Sequence, residues 1–168
     1  MIFGYIIFHR GIEIRNIIIW FFIFFLACSD QDQLTIYNIT TNIALDVNGS
    51  LPDNSILAIV DIVDSGTKKK YITSDLITEN LCVDLFKMRA DLKILERNLV
   101  DQALKELKFE STDLFDQNTI KEIGRFLGVG YIISGQVHYA EGKKILVIRC
   151  LDPETLVSIA WSRQEINF

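Results

Sequence analysis

Cysteine is scarce here, with three in 168 residues, which excludes a disulfide-dense scaffold. Two prolines and nine glycines exclude a collagen-like or low-complexity chain. Beyond Cys28 there is one histidine, His138. No G-x-S-x-G, G-x-x-x-x-G-K-S/T or G-x-G-x-x-G pattern occurs, and no repeat of 20 to 50 residues. Positive charge is also short. From Cys28 to Phe168 there are 15 Lys and Arg against 21 Asp and Glu, a net charge of −6. A general nucleic-acid binder would carry a basic face, so none is expected as a partner. What is abundant is apolar: 49% of the chain, enough for a packed core.

The apolar residues crowd the start. Before Cys28, 20 of 27 residues are apolar. His9, Arg10 and Arg15 precede an eleven-residue uncharged run, Ile17–Ala27. Eleven suits the apolar region of a signal peptide and falls short of the roughly 20 residues of a spanning helix. The run ends Leu26-Ala27-Cys28-Ser29, which resembles a bacterial lipobox. The resemblance implies cleavage before Cys28, a diacylglycerol on its sulfur and acylation of the new amino terminus. Several acyl chains make a stable anchor where one is marginal. A spanning helix and an ordinary cleaved signal are the alternatives. The expected divisions are a signal peptide over 1–27, a lipidated tether over 28–33 and one domain over 34–168. Ser29 in place of Asp after the cysteine favours the outer membrane, with the domain facing the periplasm.

In the mature chain, Ile36, Ile39, Ile43 and Val47 mark a helix over Leu34–Val47. Ile56–Ile62 is a near-continuous apolar run, as in a strand covered on both faces. Ser74 is placed to cap a helix presenting Ile77, Leu81, Leu85 and Met88. Leu92–Glu96 reads as a short strand, and Val100, Ala103, Leu104 and Leu107 as a helix face. Thr119–Glu122 matches a capping box ahead of Ile123 and Leu127. Three strands follow, Tyr131–Tyr139, Lys144–Leu151 and Val157–Ile166, with a hairpin at Ala140–Lys143 and a Pro153 turn between them. Crossover helices imply parallel pairing early, and tight turns imply an antiparallel meander late. The expected fold is α/β: one domain, a mixed sheet of about five strands, helices on its faces.

Ile56–Ile62, Ile94–Leu99, Ile123–Val137 and Ile148–Asp152, with the ending Asp152–Ser162, resemble the CsgG/FlgO group of envelope lipoproteins. The penicillin-binding-protein activator LpoB and the amino-terminal domain of TolB share a similar fold. The resemblance covers about residues 55 to 166. It implies scaffolding through protein contacts in secretion, appendage or flagellar assembly, without catalysis. The pore-forming member uses two long amphipathic hairpins per protomer. Those need about 40 residues, which the loops here do not hold, so no pore is expected. An LpoB-like reading implies contact with a peptidoglycan synthase.

The candidate residues are few. Arg97, directly after a strand, can satisfy strand-end carbonyls or pair with a carboxylate. Gly135 inside a strand suggests close approach by a packed element, and Gly124 lets its helix lie close to the sheet. Trp161 reads as a core or edge packing residue; exposed, it would mark a partner surface. Cys82, Cys150 and His138 lack metal-ligand spacing, so no metal or cofactor is expected. Cys82 and Cys150 could pair but read as two buried free thiols. Asp61 and Asp64 flank a strand end in a solvated or capping role, and Lys68–Lys70 form a solvated loop. An edge strand could pair with another protomer, giving a homo-oligomer.

Overall fold

The computed structural model describes residues 30–109 and 117–168. Cys28 and the segment expected to be a signal peptide lie outside them. Tyr37–Phe168 forms one compact unit. Residues up to Ile36 belong to a second, of which the described part is the start of a helix.

The elements follow the hydrophobic patterning. They are α1 (Asp30–Asn48), β1 (Ile56–Asp64), α2 (Ser74–Met88), β2 (Lys93–Ile94), α3 (Arg97–Glu106), α4 (Gln117–Leu127), β3 (Tyr131–Ala140), β4 (Lys143–Leu151) and β5 (Ser158–Ile166). The strand order is β2-β1-β3-β4-β5. β1 is parallel to both β2 and β3, while β3, β4 and β5 are antiparallel. The expected α/β domain with a mixed five-stranded sheet and a terminal meander is therefore the observed one. One crossover, through α2, runs from β1 to β2 on one side; the next, through α3 and α4, runs from β2 past β1 to β3 on the other.

Helices cover both faces. α3 and α4 bring Val100, Leu104, Ile120 and Ile123 onto Ala58, Val60 and Val63 of β1 and Ile132 of β3. On the other side α1 reaches β5, where Ser162 Oγ donates to Asp46 at 2.7 Å. α1 is tied to α2 by Thr40 and Thr41, which donate to Asp84 at 2.9 and 3.2 Å.

Several local expectations are corrected. α1 begins at Asp30, four residues before the expected start at Leu34. Ser74 is not a cap. It is the first helical residue, and its buried hydroxyl accepts from the Ile62 N–H at 2.9 Å while donating to Asp61 at 3.2 Å. Thr119 lies inside α4, the third residue of a helix that starts at Gln117. β2 is two residues rather than five. The β3–β4 connection is a two-residue turn with Glu141 at φ 52 and Gly142 at φ 77, the left-handed pair that matches strand twist.

β1 hides an irregularity that its apolar run conceals. Ile59 pairs with Ile133 and Ile62 with Gly135, so Val60 and Asp61 together stand opposite Ser134. This β-bulge shifts the strand's alternation. Val60 and Val63 then face the same core, and Asp61 is turned toward the loop before α2.

Candidate protein-contact surface

At the carboxyl end of β1 the bulge presents Asp61 to a cluster of charges. Asp61 is buried, not solvated. Arg97, the first residue of α3, donates to its carboxylate, and Lys70 Nζ approaches it at 3.1 Å. Arg97 also meets Asp101 at 3.0 Å and Asp75 at 3.9 Å, and Lys70 meets Asp75 at 2.5 Å. Burial opposes the charge on Lys70, but its hydrogen bonds to Asp75 and Asp61 outweigh that and raise its pKa. Arg97 thus pairs with a carboxylate, one of its two expected roles. It joins the start of α3 to β1, the loop and the start of α2. Lys68 and Lys69 remain exposed, whereas Lys70 is drawn into this cluster.

Asp64 is three residues away and does a separate job. Its carboxylate accepts from the Gly66 and Thr67 N–H groups at 2.9 and 2.8 Å and from the Tyr139 hydroxyl at 2.5 Å. The Tyr139 hydrogen bond, then that of Thr67, holds Asp64 below the usual Asp value. The same bond raises Tyr139 to about 12.

The glycines pack differently from expectation. A Cβ on Gly135 would meet Ile148 Cδ1 at 2.4 Å and Ile62 Cγ1 at 2.9 Å, side chains of the flanking strands rather than a packed helix. A Cβ on Gly124 would meet Pro153 at 2.4 and 2.6 Å, so this helix lies against the β4–β5 turn, with Ile132 of the sheet beyond at 3.7 Å. Lys121 and Arg125 of α4 fasten the same turn through Glu154.

Cys82, on α2, and Cys150, on β4, are both free thiols. Burial raises Cys82 and pushes Cys150 up to about 12. Cys82 is only half-buried, not buried as expected, and Cys150 is fully buried. His138 is an exposed residue of β3. Among the described residues, no three His, Cys, Asp or Glu side chains are placed to share a metal ion. None of the described helices is long and apolar enough to cross a membrane.

The surface that stands out is the sheet face over β4 and β5. α3 and α4 are spent on β1 and β3. They leave Ile145, Val147 and Arg149 of β4 half-buried and Trp161, Arg163 and Glu165 of β5 exposed. Trp161 lies on the edge strand and is 59% exposed, so of its expected placements, core or edge, it is not a core residue. It stands opposite Arg149 in the β4–β5 register, and Arg149 stands opposite Ser134 in the β3–β4 register. Arg149 Nε donates to Ser134 Oγ at 3.0 Å, and burial lowers its pKa. Among the described residues, Lys143, Arg149 and Arg163 share this face with Glu165, three cations to one carboxylate on a chain of net charge −5. Sequence reasoning singled out Trp161 alone. The alternation Trp161-Arg163-Glu165 and Ile145-Val147-Arg149 carries the rest of the face.

A second, smaller feature runs along α2. Off the buried stripe of Ile77, Leu81 and Leu85, Val83 and Phe86 are exposed beside Leu92 and Ile94.

No family model matches the chain, and no curated protein matches it either. Solved structures do. The chain superposes on the LpoB C-terminal domain from Escherichia coli with TM-score 0.62 at 14% identity, covering 79% of this chain and 98% of that one. The Salmonella enterica domain gives 0.58 at 13%, covering 82% and 99%. The fold is LpoB-like. A lipoprotein from Neisseria meningitidis is also similar, with TM-score 0.52 at 9% identity over 68% of this chain and 81% of that one.

Proposed function

We propose that this chain is a lipid-anchored, non-catalytic adaptor of the bacterial envelope that works by docking a partner protein. The observation carrying this reading is the β4–β5 face that the described helices leave open, where Trp161, 59% exposed, stands beside Val147, Arg149 and Arg163. A large amphipathic ring beside a guanidinium is the composition of an interface hot spot. A contiguous exposed apolar patch rimmed by polar groups marks an interaction surface.

Within that class we favour an activator of a peptidoglycan synthase, as LpoB is of a penicillin-binding protein. The likeness of fold to the LpoB C-terminal domain supports it. The alternative, a CsgG/FlgO-type role in secretion or flagellar assembly, rests on the motif series alone. Both readings place the anchor at Cys28 and the domain on the periplasmic side of the outer membrane.

Two measurements test the proposal. Labelling cells with a radioactive fatty acid should mark the wild-type chain and not Cys28→Ala; equal label in both refutes the anchor. Purification from detergent-solubilised envelopes should recover a penicillin-binding protein with the wild type and lose it with Trp161→Ala. Recovery of flagellar or secretion components instead would select the other reading.

A further inference from the structure

We propose that β5 pairs edge to edge with β5 of a second copy, antiparallel about a two-fold axis at Gln164. The inference goes beyond the docking reading and does not depend on it.

β5 is the outer strand on the antiparallel side of the sheet, and β4 is its partner strand among the described residues. It runs nine residues without a proline. Such an edge carries a row of unpaired N–H and C=O groups, which proteins normally cover, shorten or interrupt. The interruption here is a register shift confined to the start of the strand, opposite Cys150 and Leu151. The stretch from Trp161 to Ile166 is regular.

The side chains select one register. About Gln164, Arg163 of each copy stands directly opposite Glu165 of the other, Ser162 opposite Ile166, and Gln164 opposite itself. Arg163 is exposed and without an ion-pair partner among the described residues. Glu165 spends Oε2 on Lys143 at 2.8 Å, which leaves Oε1 for an incoming guanidinium. Two opposite-charge pairs thus form across the axis, the favourable arrangement for facing residues on antiparallel strands. A register centred on Arg163 would set two guanidinium groups against each other. One centred on Ser162 would leave Glu165 facing Ile159 beside the register shift.

The axis is perpendicular to the sheet, so the two open faces fall on the same side. Each copy then adds its Trp161 to one shared surface. The interface is small, and a pair this size is weak in dilute solution. With the proposed anchor at Cys28 in place, confinement of both copies to one bilayer would raise their effective concentration without any new contact.

The test is disulfide cross-linking of the full chain in detergent micelles. Facing residues in antiparallel strands have Cα atoms about 4.5 to 5.5 Å apart, within disulfide reach. Gln164→Cys should give a dimer under mild oxidation at ten times or more the yield of the wild type, which carries Cys28, Cys82 and Cys150. Arg163→Glu or Glu165→Arg in that background should cut the yield several-fold, and the two together should restore it. Wild-type yield from Gln164→Cys, no rescue in the double reversal, or stronger cross-linking from Ser162→Cys would overturn the proposal. So would a cross-link to a different protein. Sedimentation of the unsubstituted chain is a check independent of variant folding; a single monomeric species at every concentration overturns it equally. Trp161→Ala, if it abolishes partner capture yet leaves the cross-link intact, separates this inference from the docking reading.

Discussion

Trp161 stands directly opposite Arg149 in the β4–β5 ladder, on a sheet face that none of the described helices covers. An aromatic ring and a guanidinium so placed offer a partner both apolar area and charge, and the fold gives up little by exposing them. Replacing Trp161 with Ala should leave chemical unfolding within about 0.5 kcal/mol of wild type, as for an exposed side chain. Partner affinity, measured by titration with the purified partner, should fall by at least about 2 kcal/mol, near thirtyfold.

The Arg97–Asp61 pair makes the opposite kind of prediction. Asp61 is buried, and removing Arg97 leaves its carboxylate with Lys70 and Ser74 alone. Arg97→Met should cost roughly 2–3 kcal/mol in urea unfolding, less than a fully buried pair because about a quarter of Arg97 reaches solvent. The double variant with Asp61→Asn should cost clearly less than the two singles added, because the stranded charge is gone.

Gly135→Ala inserts a methyl group into space already held by Ile148 and Ile62. Overpacking of this kind costs about 1–3 kcal/mol. Thermal unfolding should show a lower midpoint, and Ile148→Val in the same chain should recover part of it by withdrawing the Cδ1 atom that clashes.

Ser74→Ala should cost about 1–3 kcal/mol, since the buried Ile62 N–H loses its acceptor. Amide hydrogen exchange at Ile62 should accelerate more than at its neighbours.

Stability should decline in acid. Asp64, held low first by Tyr139, and Asp91, held low first by Arg89, both have folded pKa values below the ordinary 3.8. The unfolded chain therefore binds more protons in that range. Their contribution is complete above 3.8 and is lost as pH falls toward the folded values. Urea midpoints between pH 2 and 6 should show this limb, and Tyr139→Phe should flatten it while Asp64 titrates nearer 3.8 by NMR.

Much of this fold was legible in the sequence. Most helices were marked by their apolar period and β1 by its continuous apolar run, and the βαβ spacing with the late tight turns set the sheet's mixed character. What escaped was anything decided by a neighbour distant in sequence. Ser74 looks like a cap because serine before an apolar stripe usually is one; the strand that claims its hydroxyl lies twelve residues back. Trp161, near the last strand, reads as a core or edge residue. Alternation gives its parity, but which parity is covered depends on α3 and α4 being committed to β1 and β3. Asp61 sits in an apolar run whose lack of alternation hid the bulge that re-aims it.

That extra residue in β1 ties the length of the strand to the charge network. A chain shortened by one at Val60 or Asp61 would still pair with β3 in unbroken register. If Asp61 were the residue lost, the start of α3 would be left holding a cation with no buried counterpart. Indels at this position and the identity of residue 97 should therefore change together in any chain built on this plan.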